Sequence, residues 1–152
     1  TNLLSDRRAV FVLIGSHPKG MDAMVEHIKA RAKGTDMLDR VPVKNRFEIP
    51  APVLEDKAVI VASHVVDAAA ARGEPVDEIE KLALYYALSD PSFSTPRQLK
   101  DLAVAAVQSL PKDERRLMYD DLFSRGDSRN HAFWEQHKAA AKELSGTYVA
   151  IG

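Results

Sequence analysis

One stretch, residues 52–73, constrains the fold more than any other because it is the longest apolar segment of the chain. It reads PVLEDKAVIVASHVVDAAAARG and has apolar residues on nearly every side. Their i, i+4, i+7 and i+8 spacing favours a helix over the strand that its β-branched residues would also suit. Pro52 suits the first helical position, and Gly73 suits the left-handed position that ends a helix. Since such a helix is normally buried, the pattern predicts a central helix at about residues 52–72.

Helical spacing of apolar residues recurs along most of the chain, and it predicts an all-α bundle of six or seven helices around the central one. The clearest local signal is Thr95-Pro96-Arg97-Gln98, a capping box with proline at the first helical position. Residues 35–51 contain two prolines and no periodicity, so we expect a long irregular loop there. The other expected helices cover residues 18–33, 75–88, 96–110, 111–123 and 128–145.

The segment from residue 8 to residue 14 fits two structures. Ser5 and Asp6 would cap a short helix that ends at Gly15, whereas the apolar run in the same segment would also suit a buried strand. We favour the helix because only residues 148–151 offer a strand partner. A minor pair of short strands at the two termini stays open as the alternative.

Length and composition describe an average globular protein. A chain of 152 residues fits one domain, so we predict a single helical domain over residues 1–152, excised from a larger protein. The net charge of −1 argues against binding nucleic acid through bulk charge, and the charged residues of the apolar stretch argue against a membrane span. Abundant alanine and arginine without cysteine is associated with GC-rich bacterial genomes. We expect a cytoplasmic location by default, and a secreted effector that acts inside another cell agrees with the same features.

The absence of cysteine excludes disulfides, thiol nucleophiles and cysteine-ligated metal centres. His64 and Asp67 are the first candidates for acid–base catalysis, since they lie three residues apart on the central helix, on the same side as Lys57. A carboxylate beside an imidazole orients the ring for general-base chemistry. A structural hydrogen bond at a half-buried surface explains the same spacing and is favoured.

His131 and Glu135 form a second candidate acid–base pair, because residues i and i+4 share a helical face. His137 lies six residues from His131, so the two histidines do not form an i, i+4 zinc pair. We predict no metal ion or other cofactor, and we interpret His137 as a core histidine on the apolar face that includes Phe133. Tyrosine and tryptophan are common anchors of protein interfaces. The candidate interface residues are therefore Tyr85, Tyr86, Tyr119 and Trp134.

Three short motifs have local explanations that we favour over functional ones. Residues 15–20, GSHPKG, are half of a phosphate-binding loop, but they lack the Lys and Ser/Thr that would follow the second glycine. Arg125-Gly126-Asp127 matches the tripeptide that integrins recognise, and a turn between two helices, with Asp127 or Ser128 as the cap of the next helix, explains it. Residues 75–110 place two helices in succession, as a helix-turn-helix does, but their connection is long for that motif.

The function that these features favour is that of a protein-interaction or regulatory domain, with another protein as its partner. The alternative is an enzyme or transfer domain that uses the His, Asp and Glu candidates in a groove beside residues 35–51. An interaction domain predicts an exposed apolar or aromatic patch. An enzyme predicts that His64 with Asp67, or His131 with Glu135, converge in a pocket.

Overall fold

A computed structural model describes residues 10–126 and 128–152 of the chain. The protein is mostly helical, with 54% helix and seven α-helices in the described residues, and it has a small three-stranded sheet. The helical prediction is confirmed at this level, and the short strands agree with the minor strand element that the sequence left open. The chain divides into two compact units, Thr1–Pro50 and Ala51–Gly152. The prediction of one domain over residues 1–152 stays a prediction.

The first unit has two α-helices, α1 (Gly20–Lys29) and α2 (Gly34–Asp39), and a 3₁₀-helix (Val43–Asn45). The helix expected near the N-terminus is wrong for residues 10–15, which have no regular secondary structure and whose large apolar side chains are exposed. Because these side chains are exposed, burial within the described part of the chain does little to stabilise a helix there. Residues 8 and 9 lie outside the described residues.

The helix predicted over residues 18–33 is too long, and Gly34 begins a helix instead of ending one. The first helix ends at Lys29, and Lys33, which has a left-handed conformation with φ of 63°, lies directly before the second helix. A Cβ at Gly34 would meet the carbonyl oxygen of Ile28 at 1.7 Å, so the chain turns there through glycine. The predicted irregular loop at residues 35–51 is therefore partly helical, and Arg46 stabilises it by donating hydrogen bonds to the carbonyls of Leu38 and Val41.

The second unit contains the main core. Its longest helix, α3, buries Val61, Val65 and Ala69 and ends at Gly73, which takes the predicted left-handed conformation. The core continues through the buried apolar side chains of the helices that follow. No helix in the described part of the chain is long and apolar enough to cross a membrane. The elements in chain order are α3 (Leu54–Arg72), β1 (Glu78–Glu80), α4 (Lys81–Ser89), α5 (Pro96–Ser109), β2 (Arg116–Leu117), α6 (Tyr119–Phe123), α7 (His131–Ala140) and β3 (Tyr148–Ala150).

The capping box predicted at the start of α5 is confirmed. The amide of Gln98 donates to Thr95 Oγ1 at 3.3 Å, and the amide of Thr95 donates to Gln98 Oε1 at 3.1 Å. Two backbone amides at the N-terminus of α5 thus have hydrogen-bond partners, which stabilises this end of the helix. Among the helices of the second unit, α5 packs most extensively against α3.

The sheet has the order β2-β1-β3, with β1 parallel to β2 and antiparallel to β3. It corrects two predicted helices, since residues 78–80 and 116–117 are strands. Asp113, with φ of 72°, interrupts the second of these predicted helices. The alternative left open for the termini placed a strand at residues 148–151; a strand does form at Tyr148–Ala150, and its partner is β1.

The buried carboxylate of Glu80 fixes this arrangement, because it connects the end of β1 to two distant segments. It accepts hydrogen bonds from the amide of Tyr119 at 2.7 Å and from the amide of Gly146 at 2.8 Å. Ser145 donates a third hydrogen bond to it at 3.2 Å. The start of α6 and the chain before β3 are thereby held beside β1.

Candidate functional site

Two helices, α4 and α7, contribute adjacent aromatic residues whose side chains differ sharply in exposure. On α4 the consecutive residues Tyr85 and Tyr86 are 38% and 0% exposed. On α7 the consecutive residues Phe133 and Trp134 are 56% and 2% exposed. Successive residues of a helix are separated by about 100°, so one member of each pair enters the core and the other reaches solvent.

Asp90 anchors the inner layer, since its buried carboxylate binds the indole of Trp134. Trp134 Nε1 and Ser128 Oγ each donate to Asp90 Oδ2 at 2.5 Å, and the amide of Ser92 donates to Oδ1 at 2.8 Å. Burial by itself raises the pKa of the Asp90 carboxyl, but the hydrogen bonds from Ser128, Ser92 and Trp134 together hold this pKa below its usual value. The carboxylate therefore stays charged and fixes the orientation of the indole.

Beneath the surface, Tyr86 is the centre of a cluster of aromatic rings. It makes edge-to-face contacts with Trp134 at 5.1 Å, Phe93 at 5.4 Å, Tyr119 at 5.5 Å and Phe123 at 5.7 Å between ring centroids. Edge-to-face geometry is the favoured arrangement for aromatic pairs. Burial raises the pKa of the Tyr119 hydroxyl, so this ring is neutral at ordinary pH. The inner layer is thus a packed base for α7.

The outer layer consists of Tyr85, Phe133 and His137, which we call the aromatic surface. The rings of Phe133 and His137 stack at 5.2 Å with an interplanar angle of 14°, and Tyr85 lies 5.5 Å from His137. Tyr85 also contacts the edge of Trp134 at 5.7 Å. Each outer ring therefore touches another ring, and the surface is continuous.

The predicted interface residues divide between core and surface. Tyr86, Tyr119 and Trp134 were expected at an interface, but their side chains are buried in the core, and only Tyr85 reaches solvent. Sequence reasoning missed Phe133, which it assigned to the core face of the last helix. Its position next to the single tryptophan was the available signal, because successive helical residues are about 100° apart and two large aromatic rings seldom fit the same part of a core.

The first predicted acid–base pair does not come together. His64 is half-buried and Asp67 is exposed on α3, and no hydrogen bond joins them in the described part of the chain. Lys57 turns away from both and lies 3.4 Å from the carbonyl oxygen of Leu88. The catalytic assignment of His64 and Asp67 stays a prediction.

The second pair does come together, because His131 Nε2 lies 3.4 Å from Glu135 Oε1. Both side chains are largely exposed, and the imidazole stacks on Phe123 at 4.4 Å. Glu135 lines an open groove of about 520 Å³ together with Lys138, Ala139, Lys142 and Ser145. Within the described residues, no group of three or more His, Asp or Glu side chains is placed to hold a metal ion.

The short motifs form turns where the structure describes them. In residues 15–20 the amide of Gly20 donates to the carbonyl of His17 at 3.1 Å, directly before α1. The amide of Gly126 donates to the carbonyl of Leu122 after α6, and Asp127 of the tripeptide lies outside the described residues. Ser128 is not the cap of α7, which begins at His131 after Asn130; its hydroxyl donates to Asp90 and accepts from the amide of Asn130.

Comparison of the chain with protein-family models, with curated proteins and with solved structures finds no match.

Proposed function

We propose that the chain is a protein-interaction domain and that it binds another protein through the aromatic surface of Tyr85, Phe133 and His137. The observation that supports this proposal is the exposure of stacked rings over a packed base. Exposed, contiguous aromatic area is typical of binding sites, and aromatic residues contribute a large share of interface energy. A folded domain gains no stability from leaving these rings in water.

The helix that carries Phe133 and His137 is held by two contacts, which supports binding through these rings. The indole beneath it is fixed by Asp90, and Lys138 on the next turn of α7 pairs with Asp120 at 2.5 Å. A surface whose side chains are already ordered loses little conformational entropy when a partner binds. The exposed rings of the aromatic surface can stack on, or make edge-to-face contacts with, aromatic or other apolar side chains of a partner.

Photo-crosslinking tests this proposal because it captures a bound protein whatever its identity. We would place p-benzoylphenylalanine at position 133 and irradiate the protein in a lysate of its native cells. The control has the same probe at position 101, where exposed Asp101 lies on α5. A specific partner forms an adduct from position 133 and not from position 101.

The partner identified in this way would then be titrated against purified variants. For a central aromatic anchor, Phe133→Ala should weaken binding about 30-fold, whereas His64→Ala on α3 should bind like the parent protein. Equal adducts from both probe positions, or an affinity that neither Phe133→Ala nor Tyr85→Ala changes, would reject the aromatic surface as the binding site.

A further inference from the structure

Helix α3 has a second apolar face that the fold does not use. Val61, Val65 and Ala69 face the core, whereas Val59 and Val66 are 65% and 39% exposed. Seven residues separate these two valines, so they lie on one line along the helix. Ser63 and Ala70 are exposed at the intermediate spacing of three and four residues. The residues Val59, Ser63, Val66 and Ala70 form the α3 outer stripe.

The outer stripe leads into a groove at the C-terminal end of α3. The groove has a volume of about 400 Å³, and apolar side chains and glycine backbone form most of its wall. From Val59 to Ala70 the stripe covers eleven residue steps, or about 17 Å, which is about three helical turns. The α3 outer stripe and the groove together are long enough to contact a peptide helix of about three turns. The lining of the groove includes Val66, Ala70, Glu74, Pro75, Val76 and Asp77.

The charges on α3 are segregated between its two sides. Glu55, Asp56 and Asp67 are exposed, and none of them forms an ion pair with a basic side chain in the described part of the chain. The two basic residues of the helix point inward. Lys57 lies near the carbonyl of Leu88, and Arg72 donates to the carbonyls of Val107 and Leu110, both at 3.0 Å.

We infer that the α3 outer stripe and its groove bind a basic amphipathic helix of a partner protein. Apolar side chains of that helix at i, i+3 or i+4 and i+7 would contact Val59 and Val66, and its Lys or Arg side chains would face Glu55 and Asp67. Glu74 and Asp77 in the groove are already paired with Arg72 and Arg115, so the unpaired acids beside the stripe provide the attraction. A second copy of the chain is disfavoured as the occupant, since it would bring acids against acids. This inference is independent of the proposed aromatic surface.

The test measures binding of two fluorescein-labelled synthetic helices, each about four turns long. Both have leucine at i, i+3, i+4 and i+7, and the remaining positions are lysine in one peptide and glutamate in the other. Fluorescence anisotropy with the full chain should show binding of the lysine peptide and at least about tenfold weaker binding of the glutamate peptide. Binding of the lysine peptide should weaken in roughly 1 M salt, where the Debye length is about 3 Å.

Matched variants locate the bound peptide. Val66→Ser should weaken binding about five- to tenfold, whereas Val149→Ser, at a valine that is 38% exposed on β3, should leave it unchanged. Asp67→Lys should weaken it about tenfold, and Asp101→Lys on α5 should not. These variants change exposed side chains only, and circular dichroism would check their folding.

Two outcomes would overturn the inference. In the first, the lysine peptide binds Val66→Ser and Asp67→Lys as tightly as it binds the parent. In the second, light scattering shows that the parent is a dimer, that Val66→Ser is a monomer, and that neither binds peptide, so that a second copy occupies the stripe. The chain has no cysteine, so a dye on Ser63→Cys would report directly whether the peptide reaches the stripe.

Discussion

Replacement of Asp90 by Asn tests whether the buried carboxylate stabilises the base of the aromatic surface. Asn has the shape of Asp but exchanges one acceptor oxygen for an NH₂ donor. The indole of Trp134 and the amide of Ser92 can only donate, and they bind different oxygens of Asp90. In either orientation of the new amide, a donor therefore faces a donor. Ser128 can rotate its hydroxyl to accept, but the other two groups cannot adapt.

The size of the effect follows from these contacts. An unsatisfied buried donor costs about 1–3 kcal/mol, and the lost hydrogen bond was made to a charged group, so we expect a loss of about 3 kcal/mol in the free energy of unfolding. With a urea dependence of about 1–3 kcal/mol per molar, the midpoint of unfolding should fall by at least about 1 M. Trp134 is the single tryptophan of the chain and provides the fluorescence signal.

Two further variants make the result interpretable. Asp101→Asn changes an exposed acid on α5 and should shift the free energy of unfolding by no more than about 0.5 kcal/mol. Ser128→Ala removes one donor while the carboxylate keeps the other two, so it should cost about 1 kcal/mol. If Asp90→Asn unfolds at the same urea concentration as Asp101→Asn, the network around Asp90 does not hold α7 or the base of the aromatic surface in place.

Two more predictions concern pH and packing. Hydrogen bonds keep the pKa of Asp90 below the value of about 3.9 for unfolded chains, so its stabilisation is complete above about pH 4 and decreases as pH falls through the folded pKa. Urea midpoints measured from about pH 5 to about pH 3 should therefore fall less steeply in Asp90→Asn than in the parent; equal slopes would contradict this. Gly126→Ala should lower the midpoint of thermal unfolding and reduce the free energy of unfolding by about 1–3 kcal/mol. The reason is that the new Cβ would lie 2.4 Å from the hydroxyl oxygen of Tyr86 and 2.9 Å from Phe93. An unchanged midpoint would show that the two rings move aside without cost.

Local signals in the sequence predicted local structure correctly. The capping box at Thr95 and the helical periodicity of α3 are short-range properties, and both are present in the structure. The strands β1 and β2 were predicted as helix because Ile79 and Leu117 fit either periodicity in such short segments. What makes them strands is long-range, since the carboxylate of Glu80 receives the amide of Tyr119 from 39 residues away. A sequence pattern over one or two helical turns cannot indicate a contact between residues so far apart.

The same limit applies to the aromatic surface. The sequence named Tyr85 as an interface candidate, and its side chain is exposed, but the sequence assigned Phe133 to the core and Trp134 to an interface. Rotation of α7 by the angle of one residue, about 100°, exchanges these two roles. The rotation is fixed by the hydrogen bond from Trp134 to Asp90, which lies 44 residues earlier in the chain. The sequence around Trp134 does not show that its indole binds Asp90, and the sequence around Asp90 does not show it either.

The valines of the α3 outer stripe are not explained by folding. Valine is a poorer helix former than alanine by about 0.5 kcal/mol. Val59 is 65% exposed and gains little burial to compensate, and Val66, at 39% exposed, gains only part of it. We therefore expect that Val59→Ala together with Val66→Ala leaves the free energy of unfolding within about 1 kcal/mol of the parent while it weakens binding of the lysine peptide about tenfold. Val61→Ala, at a fully buried position of the same helix, should lose about 2 kcal/mol or more. Urea denaturation and peptide anisotropy on the same preparations separate the two roles. A loss of stability in the double variant as large as that of Val61→Ala would mean that the outer valines serve the fold and not a partner.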